Sequence, residues 1–84
     1  MERSVVVAAS EGLHARPAAV FVKAAAAAKS PVKVGLAGAD KRVSATSILA
    51  VMGLGVESGS TVVLESDDSA ALDTLEKILT DSSL

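Results

Sequence analysis

The chain alternates between short runs rich in β-branched residues and runs rich in Ala and Leu, and none is long enough to be stable alone. Only packing of these runs against one another can bury a core. The sequence has 84 residues, of which 50% are hydrophobic, but Phe21 is its one aromatic residue. The core must therefore be built from Val, Leu, Ile and Ala. A chain of this length leaves room for a single domain, which we expect to span residues 1–84.

Hydrophobic periodicity predicts seven elements in the order βαββαβα. Strands are predicted at Arg3–Ala8, Val32–Leu36, Lys41–Ala45 and Thr61–Glu65, and helices at Pro17–Lys29, Ser47–Met52 and Ala71–Leu79. Four strands and three helices favour an α+β fold in which one sheet is covered on one face. The residues alone leave the order of the strands open.

Composition excludes several classes of site. Eight basic and ten acidic residues give a formal charge of −2, which argues against binding to a nucleic-acid backbone. The single aromatic residue provides no platform for stacking bases. There is no cysteine for a disulfide or a zinc site, and one histidine cannot form a multi-histidine metal site. We therefore expect no metal, no cofactor and no nucleic-acid partner.

The apolar segments are too short or too polar for a membrane. The run Val5–Ala9 has only five residues, far fewer than the apolar region of a secretory signal. The longest stretch, Pro17–Ala28, carries Lys23 and is mostly alanine, so it is not expected to span a bilayer. These features predict a cytoplasmic protein that does not insert into membranes.

The segment Gly12–Ala18 reads GLHARPA and contains the one histidine, His14, just before the first predicted helix. The first N–H groups of a helix lack intrahelical acceptors, and the positive end of the helix dipole attracts anions. The guanidinium of Arg16 can bind two oxygens of a phosphoryl group, and imidazole is a competent nucleophile. The segment thus predicts transient phosphorylation of His14. The alternative is a surface histidine in a loop, with Arg16 as a solvated charge.

A second motif, Ser47–Gly55 with the sequence SILAVMGLG, adds to the first. Together they resemble HPr, the histidine-containing phosphocarrier family of the bacterial phosphoenolpyruvate-dependent sugar phosphotransferase system. The resemblance extends from Val5 to about Leu79 and implies one HPr-like domain, an open-faced β-sandwich with four antiparallel strands beneath three helices. It also implies a carrier rather than an enzyme. In this family Nδ1 of the residue at the His14 position accepts a phosphoryl group from phospho-enzyme I, and a sugar-specific enzyme IIA receives it.

The resemblance also implies roles for the neighbours of His14. Arg16 matches an arginine that contacts the phosphoryl group, and Pro17 matches a proline that begins the first helix. The expected phosphate-binding positions are Ala15, Arg16 and Ala18. The positions that meet partner proteins, for which ordinary core packing is the alternative, are Val20, Lys23, Ile48, Leu49 and Met52.

Two residues carry weaker signals. Ser47 matches the serine that HPr kinase phosphorylates in some branches of the family, but a helix cap with no regulatory role explains it equally. Glu11 departs from the small polar residue expected before His14. An acid beside a phosphoryl group is repulsive, unless it turns to solvent or pairs with Arg16.

Two other functions stay open. The chain could be a carrier of a paralogous branch, serving nitrogen regulation or dihydroxyacetone phosphorylation. It could also be a non-catalytic interaction domain of the same fold, although the intact His14 and Arg16 count against this. The expected state is a monomer.

Overall fold

A computed structural model of the chain describes residues 1–84 and contains seven elements in the predicted order. The strands are β1 (Glu2–Val6), β2 (Lys33–Leu36), β3 (Val43–Ser44) and β4 (Thr61–Glu65), and the helices are α1 (Ala15–Ala26), α2 (Ile48–Gly53) and α3 (Ser69–Leu79). The strands form one antiparallel sheet in the order β1-β4-β2-β3. The expected α+β fold with an open sheet is confirmed.

The register of the sheet places its apolar residues on one face. Val5 of β1 lies opposite Val62 of β4, and Leu64 of β4 lies opposite Val34 of β2. Side chains alternate along a strand, so these four residues point to the same side. All four are buried. This is the face that the helices cover.

The helices contribute an almost purely aliphatic half of the core. Phe21 of α1 is fully buried, and beside it lie Leu72, Leu75 and Leu79 of α3. On α1, Val20 is only half-buried and lies outside this core cluster. None of the helices has both the length and the hydropathy that crossing a membrane requires.

The end of α1 differs from its prediction. The helix ends at Ala26, three residues before the predicted end at Lys29. The N–H groups of Ala27 and Ala28 bond to carbonyls three residues back, at 3.2 and 3.1 Å, which tightens the last turn and ends the α-helical pattern early.

β3 is shorter than the predicted Lys41–Ala45. Nη1 of Arg42 donates to the carbonyls of Ala39 and Lys41 at 2.8 and 3.3 Å. These bonds hold residues 39–42 in a local turn, and β3 pairs with β2 only at Val43 and Ser44.

Candidate functional site

His14 lies at the N-terminal end of α1, in a loop that is held by distant segments. The N–H of Ala8 donates to the carbonyl of Leu79, at the end of α3, at 2.8 Å. The N–H of Leu13 donates to the carbonyl of Val56 at 3.1 Å, and the Leu13 side chain is completely buried. His14 itself is exposed, so its imidazole projects from a backbone that the core holds in place.

The turn before His14 depends on glycine. Gly12 has a φ of +63°, a conformation that favours glycine. A Cβ at this position would lie 2.2 Å from the carbonyl oxygen of Val56 and 2.7 Å from Cα of Glu57. The backbone of residues 56–57 can approach the loop this closely only because Gly12 has no side chain.

The imidazole of His14 and the N–H groups that follow it are free. His14 occupies the N-cap position of α1 with extended backbone angles, and its side chain makes no capping hydrogen bond. The N–H groups of Ala15 and Arg16 have no acceptor in the structure, whereas the N–H of Ala18 is directed at the carbonyl of His14 at 3.5 Å. Two of the three expected phosphate-binding positions therefore offer a free N–H, and the third is already engaged.

The first turn of α1 is unusual at Ala15. Its φ of +50° lies in the left-handed region, which costs a non-glycine residue roughly 1–2 kcal/mol. Pro17 is the third residue of the helix rather than the first. It still lies in the first turn, where the missing N–H breaks no helical hydrogen bond.

Arg16 is exposed and makes neither a hydrogen bond nor a salt bridge. The pKa of Asp81, just beyond the end of α3, is lowered chiefly by hydrogen bonds from the side chain and backbone of Ser83, and the positive charge of Arg16 lowers it by a smaller amount. Glu11, which the sequence left to face solvent or pair with Arg16, is exposed and forms no ion pair.

The contact between the C-terminal residues and the site loop is a feature that sequence reasoning missed. The N–H and Oγ of Ser10 donate to the Leu84 oxygen at 3.2 and 3.0 Å. The two residues are far apart in the chain, and a polar C-terminal segment carries no sequence signal that would have indicated this contact.

The two faces of α2 differ sharply. Val51 is fully buried, whereas Leu49 is 82% exposed and Ile48 is 40% exposed. Met52 is half-buried. Ile48, for which core packing was the alternative, therefore reaches solvent.

The positions expected to meet partners lie on two helices that pack against each other, α1 and α2. On α1, Val20 is half-buried and Lys23 is exposed. We call the surface formed by the five expected positions the α1–α2 patch; its residues are Val20, Lys23, Ile48, Leu49 and Met52.

Ser47 has a structural role at the start of α2. It is the N-cap residue, and its Oγ accepts a hydrogen bond from the N–H of Ala50 at 3.4 Å. Ser47 is also exposed. The expected cap is therefore present, and the hydroxyl remains accessible to solvent.

The site includes neither an enclosed cavity nor a set of metal ligands. No group of three or more His, Cys, Asp or Glu side chains is placed to hold a metal ion. A depression of about 310 Å³ that is lined mainly by apolar residues lies between α1 and α3 beside Ala24, Lys29 and Asp68. None of the depressions is lined by His14 or Arg16.

An exposed histidine at a helix N-terminus, on an open-faced α+β sandwich, is the arrangement of a histidine phosphocarrier. The family model described as "PTS HPr component phosphorylation site" matches residues 1–81. The chain belongs to this family, the HPr phosphocarriers of the phosphotransferase system, whose members carry phosphoryl groups and are not catalytic enzymes.

Relatives and solved structures agree with this assignment. The chain is 51% identical over 82 residues to phosphocarrier protein HPr of Haloferax volcanii, covering 94% of this chain and 92% of that protein. It superposes on the crystal structure of HPr from Bacillus anthracis with a TM-score of 0.84 and 33% identity, over 94% of this chain and 95% of the other. A crystal structure of an HPr dimer from Thermoanaerobacter tengcongensis gives a TM-score of 0.66 and 42% identity, over 76% and 75% of the two chains.

Proposed function

We propose that this chain accepts a phosphoryl group on Nδ1 of His14 from phospho-enzyme I and donates it to a sugar-specific enzyme IIA during sugar uptake. One observation carries the proposal: an exposed imidazole, free of hydrogen bonds, stands at the start of α1 beside two N–H groups without acceptors and an unpaired Arg16. These groups are complementary to a phosphoryl dianion.

The transfer is an exchange of one N–P bond for another. The lone pair on Nδ1 of neutral His14 attacks the phosphorus of the donor phosphohistidine while Nε2 keeps its proton. The new N–P bond forms as the donor N–P bond breaks, and the bonding electron pair returns to the donor nitrogen. The N–H groups of Ala15 and Arg16 and the Arg16 guanidinium then bind the phosphoryl oxygens. Donation to the acceptor is the same exchange with His14 as the leaving group.

The site is expected to stabilise a phosphoryl group only weakly, and weak binding suits a carrier. A helix N-terminus and one exposed arginine each stabilise a bound anion by at most about 1–2 kcal/mol. This is enough to hold the phosphoryl group on a solvent-exposed histidine and too little to trap it. A buried site with several cations would oppose the second transfer.

The α1–α2 patch is the surface we propose for docking with both partners. Leu49 is 82% exposed and Ile48 is 40% exposed, although both are large and apolar. Exposed apolar side chains grouped on adjacent helices are typical of an interaction surface. We further propose that the chain acts as a monomer in the cytoplasm, since docking one histidine into a partner requires one copy only.

Ser47 has weaker support as a second phosphorylation site. Its exposure leaves it accessible to an HPr kinase, but its capping bond to Ala50 accounts for the serine without any regulation. We therefore propose helix capping as its function.

The proposed carrier activity is tested by measuring the intact mass of the protein after incubation with phosphoenolpyruvate, Mg²⁺ and enzyme I. We expect a gain of one phosphoryl group that is lost in acid, stable in base and absent from His14→Ala. The control variant Ser47→Ala should be phosphorylated like the wild type.

A lack of any gain, with an enzyme I that is active on another HPr, would overturn the proposal. The remaining functions would then be a carrier of a paralogous branch with its own donor, or an interaction domain with the motif of a carrier.

A further inference from the structure

A tight turn in the chain leads to His14. The N–H of Gly12 donates to the carbonyl of Ala9 at 2.9 Å, which closes a turn with Ser10 and Glu11 at its two central positions. Both central residues are exposed. Because His14 follows the turn by only two residues, its position depends on how firmly the turn is held.

The segments before and after the turn are held by different parts of the molecule. Before it, the N–H groups of Ala8 and Ala9 both donate to the carbonyl of Leu79, at 2.8 and 3.2 Å. After it, the side chain of Leu13 is buried and its N–H donates to the carbonyl of Val56. These bonds fix the two flanks of the turn but not its exposed centre.

Ser10 ties the centre of the turn to the C-terminal residues. Its N–H and its Oγ both donate to the main-chain oxygen of Leu84, at 3.2 and 3.0 Å. The N–H of Leu84 donates to the carbonyl of Asp81 at 3.2 Å, and the Leu84 side chain packs against the core. We call residues Asp81–Leu84 the C-terminal strap.

The hydroxyl bond is the part of this contact that depends on the residue type. Any residue except proline at position 10 has the N–H that donates to Leu84, whereas the second bond requires a side-chain donor that reaches back to the same oxygen. Oγ of Ser10 makes no other hydrogen bond. Its contribution in the structure is therefore to fasten the turn to the C-terminal strap.

We propose that Ser10 is a positioning residue for phosphoryl transfer, because its hydroxyl holds the turn on the C-terminal strap and so fixes the direction in which His14 meets the donor phosphorus. The inference rests on the proposed carrier function of His14. Transfer requires the attacking nitrogen, the phosphorus and the leaving nitrogen to lie nearly in line, and a small displacement of a reacting group lowers the rate by a large factor. Ser10 lies outside the α1–α2 patch, so its effect falls on the transfer step rather than on docking.

The test removes the hydroxyl bond of Ser10 and leaves its N–H bond in place. Ser10→Ala loses the Oγ donor, and Ser10→Thr retains a hydroxyl. Thr74→Ala is the matched control, because the exposed Thr74 also donates its hydroxyl to a main-chain carbonyl, that of Ala70 at 3.1 Å, but lies within α3.

Phospho-enzyme I is prepared with radiolabelled phosphoenolpyruvate and mixed with increasing concentrations of each protein in a rapid-quench instrument. The single-turnover rate of transfer at saturation and the half-saturating concentration are obtained from the same series. Urea midpoints of all variants are measured in parallel.

We expect the saturated transfer rate of Ser10→Ala to fall about three- to tenfold, the equilibrium effect of losing one hydrogen bond. The half-saturating concentration should not change, because the α1–α2 patch is intact. Ser10→Thr and Thr74→Ala should transfer like the wild type. Ser10→Ala and Thr74→Ala should have similar urea midpoints, so that a slower transfer in Ser10→Ala alone does not follow from lost stability.

A second pair of variants shows whether Ser10 acts through the C-terminal strap. Leu84→Ala removes the side chain that packs the strap against the core and should itself slow transfer. In this background, Ser10→Ala should have a much smaller effect on the saturated rate than it has in the wild type.

Three results would overturn the inference and leave the carrier function standing. They are equal saturated rates for wild type and Ser10→Ala, a change confined to the half-saturating concentration, and an equal decrease with and without the Leu84 side chain. Absence of transfer to the wild type, with a phospho-enzyme I that is active on another HPr, would overturn the carrier function and the inference with it.

Discussion

Ala15 shows how a single residue near the site is held in an unfavourable conformation. Its left-handed φ of +50° follows directly after His14. Leu13 before it and Phe21 after it are both completely buried. Because the core fixes the chain on each side, the short connection between them must accept the strain. We infer that packing stabilises the exposed orientation of His14 against this local cost.

Gly12 provides a test of how closely the site loop is packed. Gly12→Ala is expected to destabilise the protein by about 2–4 kcal/mol, because a left-handed conformation and a close contact with the Val56 carbonyl both oppose a Cβ. The matched control is Gly55→Ala. Gly55 has a φ of +70°, but a Cβ there would meet no atom within 4 Å.

The free energy of unfolding of Gly55→Ala should therefore fall by only about 1–2 kcal/mol, the cost of the left-handed conformation. Unfolding in urea is followed by circular dichroism, since the chain has no Trp or Tyr. Equal losses of stability in Gly12→Ala and Gly55→Ala would show that the backbone of residues 56–57 moves away from the loop at little cost.

At the scale of elements, one carboxylate joins the ends of two helices. Oδ1 of Asp68, the N-cap of α3, accepts from the N–H of Ala71 at 3.1 Å. Its Oδ2 accepts from the N–H of Lys29, just after α1, at 2.8 Å. These bonds favour the ionised form, and the pKa of Asp68 is lowered below its ordinary 3.8, first by the bond from Lys29 and then by that from Ala71.

The lowered pKa of Asp68 predicts a pH dependence of stability. Its contribution is fully present above pH 3.8, where the unfolded state is also ionised, and is lost as the pH falls through the lower pKa of the folded state. We expect Asp68→Asn to be less stable than wild type at neutral pH and to lose less stability on acidification. Urea midpoints measured from pH 7 down to pH 2 test this.

Asp40→Asn is the control for Asp68→Asn, because Asp40 is an exposed acid that makes no hydrogen bond or salt bridge. Its stability should follow the wild type at every pH. Parallel pH profiles for Asp68→Asn and wild type would contradict the assignment of the acid-sensitive stability to this cap.

At the scale of the whole molecule, the two sides of the sheet have different surroundings. Helices cover one side and carry the site and the α1–α2 patch. The other side remains open, and Val6 of β1 is 60% exposed on it. The molecule therefore offers exposed apolar residues on both sides, and only one of these surfaces includes the helix that begins at His14.

This asymmetry predicts where a partner docks. Leu49→Asp is expected to weaken binding to enzyme I at least about tenfold, the size of effect typical of a central interface residue. Its urea midpoint should remain close to that of the wild type because Leu49 is 82% exposed. Affinity is measured by isothermal titration calorimetry.

Val6→Asp is the matched control for Leu49→Asp, as it introduces the same charge at an exposed apolar residue outside the patch. It should bind enzyme I like the wild type. Wild-type affinity for Leu49→Asp, or equal weakening by both variants, would place the docking surface elsewhere.

The elements and the candidate site could largely be predicted from the sequence. The sequence predicts β4 with its observed bounds at Thr61–Glu65, and it predicts the end of α3 at Leu79. The GLHARPA motif indicates a histidine directly before the first helix. These features depend on residues close together in the chain, where backbone preference and periodicity act directly.

Other features were decided only by the tertiary structure. The strand order β1-β4-β2-β3 and the two-residue length of β3 depend on hydrogen bonds that form between strands in the folded chain. The contact of Leu84 with the site loop depends on residues 81–84 returning from the end of α3 to Ser10. Periodicity reports which side of an element is apolar, but contacts between distant segments form only when all the apolar faces share one core.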